Sequence, residues 1–134
     1  MRKTTLIHPA LSETISLLGH TDLLVIADAG LPIPEGPRRI DLALARGIPT
    51  FLDTLNVILS EMYIEKAIIA KEMLDFSPSI YKGIKAALGE IPIEINSHVE
   101  FKQHTYASKA IVRTGEFTPY ANVILVSGAW GFNL

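Results

Sequence analysis

Four histidines and no cysteine define the chemistry open to this chain. Thiol nucleophiles, disulfides, thiolate metal sites and iron–sulfur clusters are excluded, so catalysis must rest on oxygen and nitrogen groups. His20 stands in Gly19-His20-Thr21-Asp22, between a predicted helix and a predicted strand, where an imidazole faces solvent or a ligand. With an unperturbed pKa near ~6.5, imidazole gives and takes protons at neutral pH; simple exposure is the alternative explanation of a loop histidine. Asp28 closes Val25-Ile26-Ala27-Asp28-Ala29-Gly30. Ligands of open α/β sheets gather outside strand carboxyl ends, although an aspartate beside glycine also caps turns. His98 follows the predicted strand over 91–95 and opens a short helix, with Lys102 one turn later on the same face. The stretch Arg113-Thr114-Gly115-Glu116-Phe117-Thr118-Pro119-Tyr120-Ala121-Asn122 is dense in hydrogen-bonding groups between two apolar runs. Turn chemistry accounts for Gly115 and Pro119, and Arg113 and Glu116 are expected to pair with each other. Tyr120 and Asn122 are left over, a phenol and an amide suited to the edge of a polyol.

Other chemistries lack their signatures. His8, His20, His98 and His104 never fall at His-x-x-x-His spacing, so no metal is expected. Neither Gly-x-Gly-x-x-Gly nor Gly-x-x-x-x-Gly-Lys nor Gly-x-Ser-x-Gly occurs, which removes the usual nucleotide and serine-hydrolase signals. The formal net charge is −2 and no basic cluster exceeds Arg38-Arg39, so a nucleic-acid partner has no counter-surface. The basic start is broken by His8, Pro9, Ser12 and Glu13, unlike a signal peptide, and no apolar run suffices to span a bilayer. A cytoplasmic, reducing compartment, with neither membrane nor cofactor, is the expectation. The expected ligand is small and at most weakly charged.

The elements that must hold these residues can be read from apolar periodicity. Residues 9–18 form a helix with Pro9 at its first position, Leu11, Ile15 and Leu18 on one face, and Gly19 to end it. Apolar strands are expected at 23–27, 40–44, 64–70, 91–95, 110–112 and 122–126. Thr50 and Asp53 open a second helix carrying Leu52, Leu55, Leu59 and Met62. Ser77-Pro78 opens a third, through Ile80, Ile84 and Leu88 to Gly89, and Ser97 with Glu100 makes a capping box for a short one carrying Phe101. Between them, Asp28 to Pro37 is a stiff Gly/Pro loop. Helices alternating with apolar strands predict an α/β three-layer sandwich, a mostly parallel central sheet flanked by helices, as a single domain over 1–134. Hydrophobic residues make up 49% of a small domain, and Trp130, Phe132 and Leu134 give it an apolar tail. Self-association, with that tail docked, follows as an expectation.

Three blocks are similar to the D-ribose pyranase and L-fucose mutarotase family. They are Gly19-His20-Thr21-Asp22 with Val25-Ile26-Ala27-Asp28-Ala29-Gly30-Leu31-Pro32, then Arg39-Ile40-Asp41-Leu42-Ala43-Leu44 with Gly47-Ile48-Pro49, and the 113–122 stretch. The resemblance runs from His8-Pro9-Ala10-Leu11 to Ser127-Gly128, and is only in outline over 73–95. It implies His20 as proton donor, Asp28, His98, Tyr120 and Asn122 as sugar contacts, Ala121 as a backbone contact, and Lys102 as a weaker candidate. Gly30-Leu31-Pro32 matches the ribose branch, where fucose-type members resemble His-Phe-Pro, so D-ribose is the expected sugar. Ring-shaped homo-oligomers and cofactor-free interconversion of pyranose and furanose are implied as well.

Geometry adds a constraint. At ~3.3 Å per residue, His20 and Asp28 sit about 20 Å apart across strand 23–27. With a parallel sheet, His20 and the 120–122 segment would share the amino edge, and Asp28 and His98 the carboxyl edge. The two sets would meet only across subunits, in a ring or stacked rings. A sugar-binding or ribose-transport accessory protein without catalysis, a mutarotase for another sugar such as L-fucose, and a purely structural oligomer are the alternatives.

Overall fold

A computed structural model describes residues 1–129. The elements run α1 (Pro9–Leu17), β1 (Leu23–Ala27), β2 (Arg38–Asp41), α2 (Phe51–Leu59), β3 (Ile64–Ala70), α3 (Glu72–Phe76), α4 (Pro78–Leu88), β4 (Ile93–Asn96), α5 (His98–Thr105), β5 (Ala110–Arg113) and β6 (Val123–Ser127). The strands form one sheet in the order β2-β5-β1-β6-β3-β4. Neighbours are parallel except at β6, which is antiparallel to both β1 and β3. The expected mostly parallel sheet between helical layers is therefore present, with one reversed strand at its centre.

Alternation along the strands feeds two cores. Leu24 and Ile26 of β1 join Ala67, Ile69, Val112 and Leu125 in a large cluster with Leu11, Phe51, Leu55, Ile58 and Ile84. Val25 and Ala27 face the other way, with Ile68, Ala70, Ile111 and Ile124, under Phe101 and Leu31. Successive residues burying in opposite clusters is what a strand covered on both faces requires, and each large side chain removed from water contributes roughly 1.5–3 kcal/mol.

Local sequence sets the helix starts. His8 caps α1, its Nδ1 accepting from the Leu11 N–H at 3.2 Å, so this histidine serves the fold. Thr50 accepts from the Asp53 N–H at 3.1 Å, and Ser97 from the Glu100 N–H at 3.2 Å, as their positions predict. Several boundaries differ from expectation. α1 ends at Leu17 with an extended Leu18, so Gly19 is not its terminator. β2 occupies Arg38–Asp41, where the parallel register with β5 pairs Arg38 with Ala110, and α3 is an added turn before α4. The apolar tail from Trp130 lies outside the described residues.

The direction of β6 corrects the sequence reading most. Only residues 114–122 join β5 to β6, short of the dozen or so that a parallel crossover needs, so the chain must return antiparallel. In returning it passes the carboxyl end of β1, with Thr114 N–H and Oγ1 both donating to the Ala27 carbonyl, at 2.9 and 2.7 Å. Gly115 is required there, since a Cβ would stand 2.5 Å from the carbonyl oxygens of Ala45 and Ile48.

Candidate active site

The carboxyl edge gathers most of the predicted residues. Asn122, only 1% exposed, accepts at Oδ1 from the Asp28 N–H (2.7 Å) and donates from Nδ2 to Asp28 Oδ2 (3.2 Å). Asp28 Oδ1 also accepts from the Gly30 N–H at 2.9 Å. Tyr120 holds a positive φ of 59°, and the Asn122 N–H closes a tight turn onto its carbonyl at 2.8 Å. His98 meets the Tyr120 ring edge-on at 5.0 Å between centroids and stacks beside Phe101 at 6.3 Å. These groups line a cavity of about 270 Å³ with Gly30, Leu31, Pro32 and Pro119, at the small end of ligand cavities. A second hollow of about 320 Å³ lies on the other side of Asp28, against Arg113, Glu116 and Phe117. Ala121 buries its methyl in the core, so a backbone contact is the one kind of role open to it.

The electrostatics follow from burial. Burial raises the Asp28 carboxyl above the ordinary carboxylate value, against the pull of hydrogen bonds from Gly30, Asn122 and Leu31 and the charge of His98. Burial likewise lowers His98, helped by the Lys102 ammonium and opposed by Glu72 and Asp28. His98 is thus biased to neutrality and Asp28 to a higher titration point, which suits uncharged donors and acceptors around hydroxyls. His98 Nδ1 and Asn96 Oδ1 are buried with no hydrogen-bond partner among the described residues, each costing about 1–3 kcal/mol. Lys102 faces a neighbouring hollow with Pro32, Ile33, Pro34 and Tyr106.

His20 stands apart. It precedes β1 at the opposite edge, where Nε2 meets Glu65 Oε2 at 2.8 Å and both side chains are well exposed, at 39% and 38%. Tyr120 and Asn122 do not share this edge as expected, because reversed β6 carries them to Asp28 and His98. The predicted Arg113–Glu116 pair is also absent. Arg113 donates instead to the Ala29 carbonyl (3.0 Å) and to Asp41 (3.1 and 3.2 Å), while Glu116 accepts from the Phe51 N–H and the Thr118 hydroxyl.

Three groups went unread in the sequence. Glu72 accepts from the His98 N–H with both carboxylate oxygens, at 3.1 and 3.2 Å, and Phe76 packs against Tyr120 at 5.5 Å; neither carries a sequence signal. Glu65 does, as an acid interrupting an apolar strand. Among the described residues no group of three His, Cys, Asp or Glu is clustered to hold a metal, and no helix is long and apolar enough to cross a membrane.

Known proteins resemble this arrangement closely. Residues 1–130 match the model of the RbsD / FucU transport protein family. The D-ribose pyranase of Coprothermobacter proteolyticus is 59% identical over 128 residues, covering 96% of this chain and 98% of the relative. Bacillus subtilis RbsD, solved in complex with D-ribose, superposes with a TM-score of 0.93 at 46% identity, over 96% of this chain and 98% of that one. The fucose mutarotase of Streptococcus pneumoniae, solved with L-fucose, reaches 0.83 at 25% identity, over 96% and 99%.

Proposed function

This chain belongs to the RbsD / FucU transport protein family, and from that premise we propose that it is an isomerase acting on D-ribose, interconverting its pyranose and furanose forms. Identity of 59% to a D-ribose pyranase, against 25% to a fucose mutarotase, supports the pentose over the 6-deoxyhexose, as does Gly30-Leu31-Pro32. The observation that carries the reading is the cleft of Asp28, Asn122, Tyr120 and His98, where two hydrogen bonds fix Asp28 and Asn122 and an edge-on ring contact fixes His98 against Tyr120 before any ligand arrives.

Ring opening needs an acid at the ring oxygen and a base at the anomeric hydroxyl. His20 delivers a proton to the ring oxygen, the bond from that oxygen to C1 breaks, and the anomeric hydroxyl yields its proton to solvent water as C1 becomes the aldehyde carbon. Rotation followed by closure through the C4 hydroxyl reverses these events, so a full cycle leaves the imidazole and the proton count unchanged. Asp28, His98, Tyr120 and Asn122 orient the hydroxyls, and the backbone at Ala121 adds a contact. His20 lies across β1 from that cleft, so a complete site takes the cleft of one subunit and the His20 edge of another. Head-to-tail contact of unlike edges closes into a ring when the rotation permits. Exposed Phe76 beside Tyr120, with exposed Val99 on α5 and Tyr106 just after it, supports a second copy seated over this edge. A cytoplasmic location belongs to the same reading, supported by a cysteine-free sequence.

Saturation-transfer NMR on a panel of ribose and fucose tests this. Faster magnetisation exchange between ribose ring forms is the expected result; binding of ribose with an unchanged exchange rate would make the protein a sugar binder only.

A further inference from the structure

Parallel register sets three residues side by side at one end of the sheet: Asp41 of β2, Arg113 of β5 and Ala27 of β1. Arg113 stands between the other two, and its side chain reaches toward both neighbouring strands. Nη1 donates to the two Asp41 carboxylate oxygens, at 3.2 and 3.1 Å, and Nε donates to the Ala29 carbonyl at 3.0 Å, just beyond the end of β1. That carbonyl belongs to the Ala29–Gly30 peptide, whose N–H, on Gly30, donates to Asp28 Oδ1 at 2.9 Å. One peptide plane is thus held by Arg113 at its oxygen and holds the Asp28 carboxylate at its nitrogen. The two preceding planes are secured otherwise: the Ala27 carbonyl accepts from Thr114, the Asp28 N–H donates to Asn122 Oδ1, and the Ala29 N–H donates to the Glu116 carbonyl at 2.8 Å. Among the described residues no backbone N–H reaches the Ala29 carbonyl, and its plane borders a glycine, whose backbone turns with little steric resistance. A half-exposed ion pair contributes little to stability, so what the Asp41 contact supplies is the orientation of the guanidinium fork.

We propose that Arg113 is a positioning residue for Asp28, acting through the Ala29–Gly30 peptide to aim the carboxylate that binds the sugar. Its hydrogen bonds go to Ala29 and Asp41 and not to that carboxylate, so its effect is one of orientation. With the Nε–H gone, the peptide plane is free to rotate, the Gly30 N–H leaves Oδ1, and Asp28 loses its set direction in the cleft. Donation at the peptide oxygen also polarises the plane and strengthens the bond that its N–H makes. This inference rests on Asp28 contacting ribose as proposed above, and gives Arg113 no contact with the sugar.

The test compares Arg113→Met, Asp28→Asn and the double variant by ribose calorimetry and by the amide proton shift of Gly30. Arg113→Met is expected to weaken ribose about tenfold, the scale of one charge-assisted hydrogen bond, and to move the Gly30 amide upfield as its bond to the carboxylate is lost. In the Asp28→Asn background the same change should cost less than about twofold, because the two residues act as one unit. A guanidinium that served only the fold would lower thermal stability and leave both the affinity of the folded protein and the Gly30 shift at their wild-type values, which would overturn the proposal. Wild-type ribose affinity in Asp28→Asn would instead remove the reading beneath it. Should Arg113→Met fail to fold, the wild-type protein still decides: protonating Asp28 should shift the Gly30 amide and the Arg113 Nε–H together, as the two ends of one peptide, and an Nε–H that does not respond contradicts the role.

Discussion

The two edges of the sheet are built on opposite terms. At the carboxyl edge, Asp28, Asn122, Tyr120 and His98 are half-buried or buried; Asp28 and Asn122 hydrogen-bond each other, the His98 and Tyr120 rings meet edge-on, and burial shifts the titration of Asp28 and His98. At the amino edge, one imidazole and one carboxylate face each other largely in solvent. Groups that recognise hydroxyls gain from burial, since fixed donors and acceptors spend no further ordering on binding. A group that must trade protons gains from access. On the proposed function, a binding edge and a proton-transfer edge are divided between two ends of one small sheet, and neither is a whole site.

Removing the buried centre of the binding edge should have the largest effect. Asn122→Leu strands the Asp28 N–H and carboxylate in a buried setting, each at a cost of roughly 1–3 kcal/mol. Urea unfolding is expected to show a loss of about 2 kcal/mol, with ribose binding abolished by calorimetry; a variant that binds ribose normally would detach the cleft from sugar recognition.

A smaller effect should separate the edges by pH. Burial raises the titration point of Asp28, so its carboxylate is lost on acidification earlier than an ordinary one. Ribose affinity, which uses the ionised acceptor, should weaken as pH falls through that raised range, and Asp28→Asn should flatten the profile at lower affinity. The free fold responds with the opposite sign at this group, since a carboxyl raised on folding gains proton affinity in the native state. His98 is lowered by burial, so the stability it contributes is full above the ordinary histidine range and declines as pH falls through it. A ribose affinity flat from neutral pH to the ordinary carboxylate range would contradict the assignment of Asp28.

How far the sequence reveals these edges depends on what each residue type signals. Strands β1, β3, β5 and β6 follow from apolar runs, and Thr50 and Ser97 announce their helices through caps that the structure contains. A strand buried on both faces, as Val123–Ser127 is throughout, carries no mark of its direction. Direction is set by the length of the connection, and 114–122 was long enough in hydrogen-bonding groups to be noticed for chemistry while its shortness went unread. Tyr120 and Asn122 therefore stand out in the sequence as candidate sugar contacts, while their expected place at the amino edge is wrong. Glu65 shows in the sequence only as an acid in an apolar strand; the register shift that sets it opposite His20 has no sequence mark. Arg113 and Glu116, close in sequence, diverge to Asp41 and Phe51 because the loop that carries them turns over the 45–49 segment between them.

Mixing His20→Ala with Asp28→Asn, each inactive alone, tests the divided site most directly. After subunit exchange, mixed assemblies should pair an intact His20 edge with an intact Asp28 cleft and regain measurable ribose interconversion. Mixed assemblies that remain inactive despite demonstrated exchange would contradict the account.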